Sequence, residues 1–563
     1  MLTKSTFRLL CTIGIAVNAI GLFTGVMMID GALYALIAKN MVLSGNYLFL
    51  TLHGFDWLDK PHFQFWCTAL SYHVFGINDF AYKFPAFIFW LIGAWYTYLL
   101  ADKLYGRKAA QVGVLVYLSS LHLILCNSAV NAEPYLTGMI IASVYHLYRV
   151  YQRGSFGQLV LGALWASMAV MTKGIFVLIL IGSGFMVLWI IRKEWKQFLN
   201  YRWYVAFAFV LLFILPELYS LYSQFDARPE VEVFGRKNVS GLRFFFWDSQ
   251  FGRFFNTGPI TGHGDPFFYL HTVLWAFLPW SILLLFTVYF SVNRWKGIAP
   301  HPLLWGAVFV PFLMFSASEF QLPHYLNALF PMMSIWVAQL LVSLDRLPAS
   351  HVIHRVQWYL AAVLIPALCA LTFLFHDRGW MGFVGAVAVA GVAAFFFFRR
   401  PSVINTLAIS YSTGILIGVF YGAYLYPGLL AYQGGSAMGD YINTHLTRGP
   451  RADRLYVLDL DIRNFTLGFR SDIPLQAIRS AEQWDAVLDG SLLAVADLRL
   501  NELPDAYKIT EIATFSDYRV SRITPKFFYY RTREAQLGKF HLVRLTKKPA
   551  GPDSDSSPPK TAD

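Results

Sequence analysis

Charge is scarce in this 563-residue chain. Asp, Glu, Lys and Arg together make up 14% of it, against about 25% in an average soluble domain. With 56% hydrophobic and 17% aromatic residues, that shortage excludes a soluble globular protein and indicates a membrane protein. Cysteine is nearly absent as well. Cys11, Cys126 and Cys369 fall inside apolar runs and Cys67 lies near the first long loop, so no spacing suggests a zinc site or a disulfide framework. The sequence shows no convincing internal repeat, which removes one pointer to a secondary transporter. The first apolar run, Leu9 to Ile29, has no charge and no small-residue cleavage site. It is long enough to cross a bilayer and longer than a signal-peptide core, so it reads as a retained span.

Apolar runs follow at about 84–101, 109–127, 134–148, 157–172, 174–191, 203–216, 267–292, 302–318, 323–344, 357–375, 380–398 and 401–426, giving roughly thirteen spans. Lys and Arg gather in alternate short loops such as "ADKLYGRK", "YRVYQRGS", "RKEWKQFLNYR", "NRWKG" and "RRPS", while the opposite turns near 127–133 and 319–321 carry none. The positive-inside rule then puts the N-terminus in the cytoplasm, and both long loops and the C-terminal tail outside. The formal charge of +12 lies largely in the inner loops beside anionic lipid, so a nucleic-acid partner is not implied.

The expected fold class is an α-helical polytopic membrane protein with a small C-terminal α/β extracytoplasmic domain. Residues 1–429 form the transmembrane part, with outer loops 30–83 and 217–266. Residues 430–546 form the outer domain, in which "RLYVLDLDI", "SLLAVADLRL" and "KFHLVRL" read as strands and "SAEQWDAVLDG" as a helix. Residues 547–563, rich in Pro, Ser and charge, read as a disordered tail. Asp459 and Asp461 spell D-x-D, a pattern able to hold a metal-bound nucleotide sugar. No second motif accompanies it, and alternating strand residues are the plainer reading.

The candidate chemistry lies at the outer ends of the spans. Asp30 closes the first span, and Leu33, Leu36, Ile37 and Met41 share one face of the helix after it, which suits a segment lying along the membrane surface. As a purely structural residue, Asp30 would cap that helix. Asp56 and Asp59 read as solvated loop charges. Lys60 precedes Pro61 and "HFQFW"; its plain alternative is a lysine snorkelling to the headgroups. Arg236, Lys237, Arg243, Arg253 and His263 lie among aromatics in the second outer loop, as a lipid-linked phosphate would require, or as a basic loop touching headgroups would also show. Glu133 opens a span, where the helix dipole alone would favour an acid. His324, beside Glu319 and Gln321, reads first as a hydrogen-bonding interface residue. Separate parts of the sequence therefore converge on one side of the membrane.

At "DGALYALIAKNM", "LDKPHFQFW", "NAEPYLTG", "MTKGIFVLIL", "WDSQFGRFF", "HGDPFFYLHTVLWAFLPWS" and "QLPHYLNALFP" the chain resembles the membrane-embedded, lipid-phosphate-sugar-dependent glycosyltransferases. These include protein O-mannosyltransferases and the lipid A aminoarabinose transferase, and their architecture is called GT-C. The resemblance covers about residues 9–345 in order and spacing. It implies a polyprenyl-phosphate sugar donor, an acceptor that is lipid A, a surface glycan or a protein hydroxyl, and inversion at the anomeric carbon. It implies Asp30 as catalytic base, Glu133 as a second acid, and Lys60, Arg253 and Arg243 as phosphate ligands. Tyr34, His263, His324 and Tyr325 would line the cavity. No cofactor follows; a metal is neither called for nor excluded. Where the family commonly has Asp-Glu, this chain has Asp30-Gly31, so a role of that Glu must be absent or moved. A bacterial cytoplasmic membrane is the expected location. The competing functions are a polytopic transporter or flippase, whose charges would sit nearer the bilayer midplane, and an assembly or sensor protein, which leaves the loop cations unexplained.

Overall fold

The computed structural model describes residues 2–293, 301–347, 350–375, 402–446, 454–458 and 462–548, with three isolated positions between 385 and 391. The described chain is mostly helical and divides into two compact units. One comprises residues 1–430 with 528–531, and the other the remainder from residue 431 on.

In the larger unit, nine helices build the part that positions the site: α1 (Lys4–Ala19), α2 (Ile29–Ser44), α3 (Phe63–Phe75), α4 (Asp79–Tyr105), α5 (Arg107–Leu118), α6 (Leu121–Ala129), α7 (Glu133–Arg153), α8 (Phe156–Lys173) and α9 (Val177–Arg192). Among the described residues, five helices are long and apolar enough to cross a membrane, or up to seven if each of two bent pairs is one span. The apolar run at 380–398 lies outside the described residues.

Two of the thirteen runs are bent, and each bend has a local cause. α5 and α6 meet at a 52° bend. There the hydroxyls of Ser119 and Ser120 donate back to the carbonyls of Leu115 and Val116 at 2.6 and 2.7 Å, a bonding pattern that bends helices. Tyr201–Phe213 and Leu215–Asp226 bend by 41° just before Pro216, which has no N–H to carry the ladder across the break. Three further apolar helices, α9, Ser281–Val292 and Pro302–Ser316, are shorter.

α2 does not present a single face to a membrane surface. Gly31, Ala32, Tyr34 to Lys39 and Met41 are buried, because α3 packs over it. The Tyr34 and Phe65 rings meet edge to face at 5.6 Å, and the Tyr72 hydroxyl donates to the Ala35 carbonyl at 3.2 Å.

Strands β1 (Thr51–Leu52) and β2 (Phe55–Asp56) form a hairpin in the larger unit. The smaller unit holds a five-stranded sheet of β3 (Leu455–Val457), β4 (Leu475–Ala477), β5 (Leu492–Ala496), β6 (Tyr507–Asp517) and β7 (Gly538–Lys547) in the order β4-β3-β5-β7-β6. β3 pairs in parallel with β4 and β5, and β7 runs antiparallel between β5 and β6. Tyr456, Leu493, Val495, Val543 and Leu545 form its core with Ile478 and Val487. The run "SAEQWDAVLDG" is not a helix. It makes one 3₁₀ turn, Ala481–Trp484, closed by a capping box between Ser480 and Gln483, and Gly490 at φ +78° turns the chain into β5. Asp459, Asp461 and the tail from residue 549 lie outside the described residues.

Candidate functional site

The loop carrying Lys60 is fastened at both ends. A short hairpin, β1 (Thr51–Leu52) with β2 (Phe55–Asp56), turns at His53 and Gly54, both with positive φ. Gln224 binds it by accepting from the Leu50 amide at 3.0 Å and donating to the Leu50 carbonyl and to Asp56, each at 2.8 Å. Asp56 is not a solvated charge: Arg228 lies 3.3 Å from its carboxylate. On the far side, fully buried Glu217 accepts the His62 amide at 2.9 Å and faces its Nδ1 at 3.0 Å, while His62 Nε2 meets the Leu48 carbonyl at 3.0 Å. Asp59, Lys60 and Pro61 lie between these anchors.

The first turns of α4 hold the two stretches that lead to the candidate acids. Lys83, fully buried, donates to the carbonyls of Gly21, Thr24 and Gly25 at 2.9 to 3.2 Å, satisfying the end of the first helix where its ladder runs out. Asp79 accepts the Val26 amide at 2.7 Å, and Tyr82 donates to the Val130 carbonyl at 2.8 Å. Asp30 then falls in the first turn of α2, whose N-cap is Met28. Asp30 is therefore not the cap. Glu133 opens α7 directly after the loop.

Two groups of charge stand between these anchors. Asp59 pairs with both Lys60 and Arg253. Burial alone would raise the Asp59 carboxyl pKa, but the Lys60 ammonium and the Arg253 guanidinium outweigh it and hold it well below the usual carboxylate range. Burial lowers the Lys60 ammonium pKa, against the pull of Asp59. In the second group, Glu133 Oε1 lies 2.6 Å from Lys173 Nζ and 3.8 Å from His324 Nε2. The Lys173 ammonium also sits 4.3 Å from the centre of the Tyr325 ring, a cation–π contact. Arg253 follows a π-helical turn, Phe244–Gly252, a winding frequent at functional sites.

Two cavities share these groups as a common wall. One, of about 860 Å³, is walled mainly by apolar side chains, among them Leu136, Phe176, Val177, Leu180, Phe254 and Met314. The other, of about 490 Å³, is polar and is lined by Asp30, Tyr34, Asn131, His324 and Leu322 among others. Asp59, Lys60, Glu133, Lys173, Arg253, Phe320 and Tyr325 line both. Three buried polar atoms of this lining have no hydrogen-bond partner among the described residues: the donor Arg253 Nε and the acceptors Glu133 Oε2 and Asn131 Oδ1. Buried polar groups are normally paired, so these atoms fit a ligand that brings an acceptor to Arg253 and donors to Glu133 and Asn131.

Of the residues singled out from sequence, Asp30, Tyr34, Lys60, Glu133, Arg253, His324 and Tyr325 come together around these cavities. Arg243 and His263 do not line them. Arg243 is exposed, with Nε 3.6 Å from Asp248, and His263 is exposed as well. Sequence reasoning missed Lys173 and read Asp59 as a solvated loop charge, while Asn131, which the sequence offers beside Glu133 at the second acidic position, lines the polar cavity. Lys173 stands in a tight turn between two apolar runs, a place where a lysine costs enough to suggest a purpose. Asp59 precedes Lys60, and nothing in the sequence reveals that Arg253, far along the chain, closes on it. Among the described residues, no three or more of His, Cys, Asp and Glu gather in a way that could hold a metal ion.

Residues 59–219 match the sequence model of the dolichyl-phosphate-mannose-protein mannosyltransferase family. An uncharacterised protein of Aquifex aeolicus is 27% identical over 356 residues, 63% of this chain and 66% of that protein. The undecaprenyl phosphate-alpha-4-amino-4-deoxy-L-arabinose arabinosyl transferase of Edwardsiella ictaluri is 29% identical over 318 residues, 55% of this chain and 54% of that protein. Each match thus spans less than two thirds of the relative. The crystal structure of ArnT from Cupriavidus metallidurans bound to undecaprenyl phosphate superposes with a TM-score of 0.74 at 19% identity, covering 98% of this chain and 100% of that one. The chain has the ArnT-like GT-C fold. It is a multi-pass membrane protein.

For a GT-C chain, the pair Asp30-Gly31 now has a physical reason. A Cβ on Gly31 would stand 2.4 Å from the Ala129 carbonyl oxygen and 3.1 Å from that of Val130, so the loop leading to Glu133 occupies the room a side chain would need. Placing an acid there as Gly31→Glu is expected to lower stability by about 1–3 kcal/mol through overpacking. Thermal unfolding in detergent checks this; an unchanged midpoint would refute the close approach.

Proposed function

We propose that this GT-C chain transfers a sugar from a polyprenyl-phosphate donor to an acceptor hydroxyl, with inversion, at the outer face of a bacterial cytoplasmic membrane. The acceptor is a lipid A, a surface glycan or a protein. The observation that carries the reading is the shared ionic wall between an apolar and a polar cavity, with a buried guanidinium N–H that lacks an acceptor. An amphiphilic donor fits it, with its tail in the apolar cavity, its phosphate at Lys60 and Arg253, and its sugar in the polar chamber. Displacing phosphate from the anomeric carbon leaves negative charge on the departing oxygen, which fixed cations stabilise. Asp30 takes the acceptor proton and aims its oxygen at the face opposite the leaving group. Glu133, held by Lys173, lines the sugar and acceptor side. In this reading roughly thirteen spans and an outward-facing sheet unit complete the topology.

The test is to purify the protein in detergent and offer a panel of polyprenyl-phosphate sugars, measuring transfer together with released polyprenyl phosphate. Movement of intact lipid-linked sugar between leaflets of proteoliposomes, without release of polyprenyl phosphate, would make the chain a flippase instead.

A further inference from the structure

A third cavity lies far from the chamber. α4, a candidate span, begins at Asp79 beside the stretches that lead to Asp30 and Glu133 and runs 27 residues to Tyr105, about 40 Å at roughly 1.5 Å per residue. α5 starts there. At that end a cavity of about 630 Å³ is lined by Lys108 and Gln111 of α5, Asp345 of the turn Leu344–Arg346, and Ser402, Ile404 and Leu407 at the start of the helix Val403–Val419. Lys108 and Asp345 are exposed. They share this lining, yet neither makes an ion pair or hydrogen bond with the other or with any described residue. Gln111 is only 8% exposed, and its side-chain amide likewise has no partner among the described residues.

A buried amide without a partner calls for a ligand, and a cation and an anion that line one cavity without pairing suit a ligand bearing both signs. The helix adds donors of its own. The Ser402 hydroxyl accepts the Asn405 amide at 3.2 Å and the Ser402 carbonyl accepts the Thr406 amide at 2.9 Å. The Val403 and Ile404 amides are left without an intrahelical acceptor at the positive end of the helix dipole, where a phosphate is favoured. Ile404 is 47% exposed on a candidate span, so the cavity wall continues onto a lipid-facing surface. We propose that this cavity binds one phospholipid with a phosphoethanolamine headgroup. Its phosphate lies against Lys108, Gln111 and the first amides of Val403–Val419, its ammonium at Asp345, and its acyl chains pass out beside Ile404. Arg107 and Arg346 adjoin the site in sequence without lining it. They attract any phosphate, so the choice of headgroup falls to Asp345. The bound lipid ties three helices together far from the chemistry, and the site stands independently of the sugar-transfer reading.

The experiment takes the full-length protein, stripped of co-purifying lipid in detergent, and titrates it with phosphatidylethanolamine, phosphatidylglycerol or free phosphoethanolamine, counting retained molecules by native mass spectrometry. The ethanolamine lipid is expected to bind about tenfold more tightly than the glycerol lipid, the scale of one hydrogen-bonded charge. Asp345→Asn is expected to bring the two lipids level, and Lys108→Met to weaken both by about tenfold. Gln111→Leu is expected to weaken both as well; should it fail to fold, the variants at the two exposed positions still decide. The proposal fails if the parent holds both lipids alike, if Asp345→Asn keeps the preference, or if Lys108→Met binds as the parent does. Free phosphoethanolamine binding as tightly as the lipid would make the ligand a soluble one and overturn the lipid assignment.

Discussion

Asp30→Asn is expected to lower sugar transfer by about a hundredfold or more, the usual range for a positioned general base, while polyprenyl phosphate still binds. The variant is close in shape, so the start of α2 has no steric reason to move. Asp30 has no fixed cation or hydrogen-bond donor among the described residues, in contrast to Asp59 and Glu133 in the same chamber. Converting it to an amide therefore breaks no ion pair and leaves stability close to the parent's. What is lost is the ability to accept a proton. Initial rates of transfer, set beside lipid-phosphate binding and thermal unfolding, separate the outcomes. Parental turnover in Asp30→Asn would remove Asp30 from the chemistry even if the fold and donor are right.

Lys60→Met is expected to cost about 10²–10³ in turnover, the scale for deleting one group that stabilises developing negative charge. Asp59 stands between two cations, so one carboxylate against Lys60 and Arg253 leaves that cluster with one net positive charge. The donor's phosphodiester carries one negative charge and balances it. As the bond to the sugar breaks, the phosphate gains charge, and the cluster attracts the departing group more strongly than the reactant. Methionine keeps the length of the side chain and removes that surplus, leaving Asp59 and Arg253 as a neutral pair. Single-turnover rates at saturating donor read the chemical step apart from binding. A loss confined to KM would show that Lys60 only holds the lipid and does not help it leave.

Much of the site could be read from the chain because each residue sits where a sequence rule applies. Asp30 and Glu133 begin helices at the ends of apolar runs, and Lys60 stands before a proline in an aromatic stretch. Such positions are unusual for charge near a membrane, and their spacing along the chain is independent of contacts. Asp56 and Asp59 were misplaced for the opposite reason. Their partners Arg228 and Arg253 come from the second long loop, and an acid looks solvated in sequence until the distant cation that closes on it is known. Arg243 and His263 resemble Arg253 in composition of surroundings, yet only Arg253 follows the π-helical turn that directs it to Asp59. The helix expected over "SAEQWDAVLDG", residues 480–490, does not form because the capping signal, Ser480 with Gln483, is followed by only a single turn before Gly490. Span counting was least secure where serines and a proline break the apolar runs.

The shared ionic partition between the two cavities has a consequence for how turnover ends. Under the proposed reaction, the spent carrier can slide sideways through the greasy compartment into the surrounding lipid, while the newly decorated acceptor departs from the wet one. Neither product has to wait for the other to vacate a common doorway. Recharging with fresh donor and reloading with acceptor then become separable events, and a compound blocking one entrance should leave the opposite one in working order.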